Sequence, residues 1–152
     1  MNTTARPFGS TRIILGAMAM GVLAFAAVAA YLRATMKLAG DPSVPTLLAY
    51  VLVGIALSEV PAYLLLRKVF IERARQQREE SMEALRKGLA PLPLATFTIL
   101  AAALIEGPGL FGAVILILGA PWAVIAAPIL SVALILLHMP TRERLEALVR
   151  GT

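Results

Sequence analysis

The sequence predicts an all-α polytopic membrane protein with four transmembrane helices, and three observations predict it. Hydrophobic residues make up 59% of the 152 residues and charged ones 15%, which is too little polar surface for a soluble domain of this size. The apolar residues are massed in four blocks, where a soluble amphipathic pattern would scatter them with helical period. Lysine and arginine collect on one side of those blocks. A chain of this length has room for a single domain, 1–152.

The first block, 13–32, carries no charge. Arg6 and Arg12 precede it and Ala27-Val28-Ala29 resembles a signal-peptidase site, but the run is longer than an ordinary signal h-region, so a retained helix is expected. The second block, 44–66, is interrupted only by Glu59, and the third, 92–118, only by Glu106. The fourth, 122–139, carries His138 near its end. It barely reaches the roughly 20 residues that a helix needs to cross about 30 Å of hydrocarbon. Helices are required throughout, because hairpin strands would leave open edges in lipid.

Of the 14 basic residues, twelve fall on one side: Arg6, Arg12, Arg67, Lys68, Arg73, Arg75, Arg78, Arg86, Lys87, Arg142, Arg144 and Arg150. Only Arg33 and Lys37 fall on the other. The positive-inside rule then puts both termini and the long loop in the cytoplasm, in a cell inner (plasma) membrane. Tyr31 and Trp122 lie at the outer ends, where an aromatic belt belongs. The formal charge of +5 is thereby read as orientation. No basic face with interleaved aromatics exists off the membrane, so nucleic acid is not an expected partner.

The connections add detail. Gly119-Ala120-Pro121 leaves almost no loop and predicts a tight antiparallel hairpin of the third and fourth helices. The segment 70–90 pairs Arg75 with Glu79 and Glu83 with Lys87 at i,i+4, with Gly88 as a stop. It reads as a charged cytoplasmic helical extension of the second helix, either simply solvated or docking a partner. Thr141 can cap a short helix, 141–150, whose Leu145, Leu148 and Val149 suit the inner interface. Small residues at Ala17 and Gly21, at Gly109 and Ala113, and at Ala123, Ala127 and Ser131 are expected where helices touch.

The chain has no cysteine and one histidine. Disulfides and thiolate sites are excluded, and no paired metal ligands, phosphate-binding loop or Ser–Lys pair lies in the spans. No enzyme activity, cofactor or metal is therefore expected. The chemistry that remains is Glu59 and Glu106. Glu106 stands thirteen residues from both Pro93 and Gly119, roughly 20 Å of helix each way, and Glu59 stands roughly 12 Å from Arg67. Acids at that depth cost about 2.5–3.5 kcal/mol on insertion scales. Without Lys or Arg in a span, each should be protonated or hold a cation, and their similar depth on consecutive antiparallel helices lets the two face one another. Pro61 and Pro108, two places after each acid, free the carbonyls of Leu57 and Leu104 and mark helix kinks.

The run from Ala102 to Ile115, through Ile105-Glu106-Gly107-Pro108-Gly109, resembles the ion-carrying helix of subunit c from rotary ATP synthases, and Arg75-Gln76-Gln77 is similar to that family's polar loop. The resemblance implies that Glu106 binds a translocated proton or sodium ion and that hairpins assemble into a ring. Residues Gly21 to Val28 also echo Gly107 to Val114, which reads as a tandem duplication of a helical hairpin with Met20 in the place of Glu106. The expectation is thus a subunit of a membrane complex whose buried carboxylates, Glu106 with Glu59, bind a proton or cation. The alternative is a non-transporting structural or assembly subunit in which those carboxylates only fix helix packing. Expected partners are the lipid bilayer and either further copies of the chain or other membrane subunits.

Overall fold

The computed structural model describes residues 5–35 and 43–151; Lys37 and the side chain of Arg6 lie outside the described part. A short strand β1 (Ala5–Pro7) leads into α1 (Phe8–Thr35), followed by α2 (Ser43–Gln76), α3 (Arg78–Arg86), strand β2 (Leu89–Pro91) and α4 (Leu92–Ile117). A 3-10 turn at Trp122–Ile125 then opens α5 (Ala126–Leu137), and α6 (Arg142–Arg150) closes the chain. The fold is all-helical apart from one small ribbon, in which β1 pairs antiparallel with β2 in the register Ala5↔Pro91.

Among the described residues three helices are long and apolar enough to cross a membrane: α1 with 28 residues, α2 with 34 and α4 with 26. The segment Trp122–Leu137 passes only when joined to α6, from which it departs by 75°. The molecule is therefore a membrane-type helical bundle of three spans, or four if the bent pair is counted as one.

The bundle is organised around α4, which packs on α1, α2 and α5. Its own sequence explains this. An added Cβ at Gly109 would lie 2.6 Å from Ser131 Oγ, and one at Gly112 would lie 2.7 Å from the Ala127 Cβ. The two glycines thus let the α4 backbone approach the small residues of α5, which is how helices gain contact where water cannot drive association. On the other side α1 presents a stripe of Leu15, Ala19, Val22, Ala26 and Ala29 at spacings of three and four, and Leu15 and Val22 are wholly buried.

Two expectations about packing fail. Gly21 meets nothing within 4 Å and Ala17 is exposed, because the stripe that meets α4 lies on the other side of α1. The hairpin duplication also finds no counterpart. α4 and α5 pack on each other, while α1 and α2 hardly touch among the described residues, because α4 lies between them.

Both ends of α1 are tied to turns. Arg12 donates to the Pro140 carbonyl through Nε at 3.3 Å and Nη2 at 3.1 Å, and Arg33 Nη2 donates to the Gly119 carbonyl at 3.1 Å. These arginines are separated by about 31 Å of helix, close to the roughly 30 Å of a bilayer's hydrocarbon.

At the basic end the loop is more than a solvated helix. α2 runs through Pro61 and on to Gln76, beyond the expected end of the second block. α3 then folds against β2 and α6, burying Leu85 with Ile71, Ala74, Leu94, Leu145 and Val149 in a second apolar core. Buried Ser81 donates to the Ala74 carbonyl at 3.1 Å. Glu83 and Lys87 pair, and Gly88 takes the left-handed φ of 71° where the chain turns. The expected Arg75–Glu79 pair does not form, because the helix breaks at Gln77 and Arg75 Nε instead donates to the Leu148 carbonyl at 3.1 Å. Thr141 Oγ1 accepts from the Arg144 amide, and Gly151, at φ 85°, ends α6.

Candidate binding cleft between α2 and α5

α2 rests on α4 and hardly meets α5. Of its most apolar stretch only 6% is buried, against 39% for α4. A cleft of about 530 Å³ therefore opens sideways between α2 and α5, within the usual size range of ligand sites. Leu52, Val53, Ala56 and Leu57 form one wall, and Ala127, Leu130, Ser131 and Leu134 the other. Ile105 and Pro108 of α4 form the floor. Pro108 is buried within α4, and the hydrogen bond that it cannot donate leaves the Leu104 carbonyl without that helical partner.

The cleft continues toward the basic end and changes character. Past Ala56 and Glu59 a second hollow is lined by Tyr63 and His138, whose rings meet edge to face at 5.6 Å and bridge the two walls. Beyond them it widens into a mouth lined by Arg67, Thr98, Arg144 and the apolar side of α6. Arg144 Nη1 donates to the Leu137 carbonyl, which holds its guanidinium at the break between α5 and α6. Among the described residues no carboxylate lines this mouth. An apolar chamber thus adjoins a cationic opening.

The expected ion site is not there. Neither Glu59 nor Glu106 is buried, and among the described residues no group of three or more His, Cys, Asp or Glu could hold a metal ion. Glu59 sits on the cleft wall with Oε1 lying 3.5 Å from where a Cβ of Gly107 would be. Glu106 lies at the edge of the face that α4 leaves open with Leu100, Ala103 and Val114, and its carboxylate makes no hydrogen bond or ion pair among the described residues. The physical reason is that α2 stands at the periphery, so no helix closes over either acid. The likeness to subunit c, the proton- or cation-binding role and the packing role given to buried carboxylates all fall with that observation.

Pro61 is exposed on α2, and both α2 and α4 run through their prolines as single helices. Tyr63, Arg67 and Arg144 were not singled out as site residues by sequence reasoning. The available signal was the spacing of Glu59, Tyr63 and Arg67 at i,i+4, which strings polar groups along one helix side. The chain matches no protein-family model, and no curated protein or solved structure matches it.

Proposed function

We propose that this chain is a non-catalytic membrane protein that binds a bilayer amphiphile laterally, in the cleft between α2 and α5. The observation that carries this reading is the succession of three adjoining hollows that all share Leu134: the apolar chamber above Pro108, a stretch lined by Glu59, Tyr63 and His138, and the mouth at Arg67 and Arg144. Over the eleven residues from Arg67 to Ala56 it covers about 16 Å, close to the roughly 15 Å of hydrocarbon in one leaflet. The finer topology belongs to the same reading. Trp122–Leu137 completes a fourth crossing, α6 lies in the interface, and both termini with α3 face the cytoplasm as the arginine and lysine distribution requires.

The test uses the single tryptophan. In a Trp122→Phe background, Leu57→Trp places a fluorophore on the cleft wall and Leu47→Trp places one on the exposed side of α2. Brominated phospholipids should quench the cleft tryptophan in a saturable way, at mole fractions well below those that quench Leu47→Trp. Quenching that simply follows bulk mole fraction at both positions would remove the binding-site reading.

A second reading is favoured by the outer face of α2. Val51, Gly54, Ser58 and Leu65 lie opposite the cleft and are exposed, and a Cβ added at Gly54 meets nothing within 4 Å. That face would suit lateral association with another copy or another membrane subunit. Cross-linking of a Ser58→Cys variant, in a chain that has no native cysteine, reports it directly.

A further inference from the structure

We infer that the mouth of this cleft selects an anionic, phosphate-bearing lipid headgroup, with Arg67 and Arg144 as the selecting residues. The inference rests on the cleft being a lipid site and adds the ligand's charge. Arg67 is exposed and makes no hydrogen bond or ion pair among the described residues, so its fork of donors is available. Arg144 comes from a different element, α6, and lines the same mouth, with its Nη1 held on the Leu137 carbonyl. Two guanidinium groups lining one mouth match phosphate oxygens in a way that one surface cation does not.

The surroundings agree in sign. The mouth has no carboxylate among the described residues, and the nearest acid along the cleft, Glu59, lies eight residues deeper on α2, about 12 Å away. Arg12 lies nearby as well, held on the Pro140 carbonyl, and Pro140 itself lines the mouth. Thr98 donates its hydroxyl to the Leu94 carbonyl at 2.8 Å, which leaves it able to accept but not to donate again. Among the charged side chains that line the mouth, arginine is thus the sole kind, and an anion is the ligand that it suits. Alongside Tyr63 and His138 the lining turns apolar, with Val60, Leu104, Ile105 and Leu134, where an acyl chain belongs and a small inorganic anion does not.

The experiment compares brominated phosphatidylglycerol with brominated phosphatidylcholine as quenchers of Leu57→Trp in the Trp122→Phe protein, in vesicles of otherwise unlabelled phosphatidylcholine. Phosphatidylglycerol should quench at an about tenfold lower mole fraction, the scale of two basic groups acting on one anionic headgroup. Arg67→Gln and Arg144→Gln should each lower that preference, and the double variant should bring the two lipids within about twofold. Lys68→Gln, one residue along α2 and outside the mouth, should leave it unchanged. Circular dichroism of each variant checks that the helices persist. Saturable quenching that is equal for both lipids overturns the headgroup selection while the cleft remains a lipid site. A loss in Lys68→Gln as large as that in Arg67→Gln also overturns it, because the preference would then belong to the general basic surface. Quenching that is not saturable with either lipid overturns the cleft as well.

Discussion

Tyr63 Oη lies 3.0 Å from His138 Nε2, and the direction of that hydrogen bond is set at the other side of the ring. Nδ1 of His138 is 2.8 Å from the Leu134 carbonyl, which can only accept. Nδ1 therefore carries the hydrogen, Nε2 is the acceptor, and the tyrosine hydroxyl donates. The pair joins α2 to the end of α5, two helices that are otherwise separated by the cleft. Tyr63→Phe should cost about 1 kcal/mol, a typical net value for one hydrogen bond. Thermal unfolding in detergent should show a fall of about 2–4 °C, and no change would mean that the bond does not hold the cleft walls.

Gly109 and Gly21 should respond oppositely to alanine. At Gly109 the new methyl meets Ser131 at contact distances no real Cβ tolerates, so Gly109→Ala should destabilise by about 1–3 kcal/mol. Gly21 has open space, and Gly21→Ala should be neutral or stabilise by up to about 1 kcal/mol. Melting temperatures of the two variants against the wild type test the close α4–α5 approach.

Glu83 titrates below the ordinary carboxylate value because Lys87 hydrogen-bonds to it and lies beside it as a positive charge. A carboxyl depressed on folding contributes stability that is present above the unfolded value and is lost as pH falls through the folded one. The contribution of this exposed pair should therefore disappear on acidification below the usual carboxylate range. Lys87→Gln should return the titration of Glu83 to its ordinary position, which carboxyl chemical shifts would report.

Removing the Arg12 side chain should loosen α6 specifically. The Pro140 carbonyl receives both of the Arg12 hydrogen bonds and stands at the break before α6. In Arg12→Ala, amide exchange across Arg142–Arg150 should rise by about tenfold or more, the change expected from about 1.4 kcal/mol or more of lost local stability. Exchange in the middle of α4 should stay as it was.

Sidedness is testable with introduced cysteines, since the chain has none of its own. Trp122→Cys should react with a membrane-impermeant maleimide in right-side-out vesicles, and Gln77→Cys only after the vesicles are opened. The reverse pattern would overturn the orientation.

The long apolar helices were legible in the sequence because uncharged runs such as that around Val22 have no alternative in water. The short fourth segment was also visible as short. The interior of the bundle was not legible, because the spans are apolar all round. Hydrophobicity then does not say which side of α1 meets α4, and a row such as Ala17 and Gly21 is as plausible as Leu15 and Val22. Glu59 and Glu106 misled for a related reason. Depth along a helix is readable from residue counting, but enclosure depends on which helices close over a position, and α2 closes over neither. The small core around Leu85 was hidden among charges that lie on the other sides of α3 and α6. The ribbon at Ala5–Pro7 joins segments far apart in the chain, and three residues carry no periodic signal.

The central place of α4 sets an order of assembly. α1 and α2 leave the ribosome first, yet among the described residues the two hardly touch. Each must rest in lipid as a separate helix until α4, made later, arrives to join them. The strand at Ala5–Pro7 likewise finds its partner only once Leu89–Pro91 has been made. A chain that stopped after Gly88 would leave the α1 stripe of Leu15 and Val22 facing lipid. The bundle is therefore completed from the middle outward, and quality control in the membrane would meet its first two spans as unassembled parts.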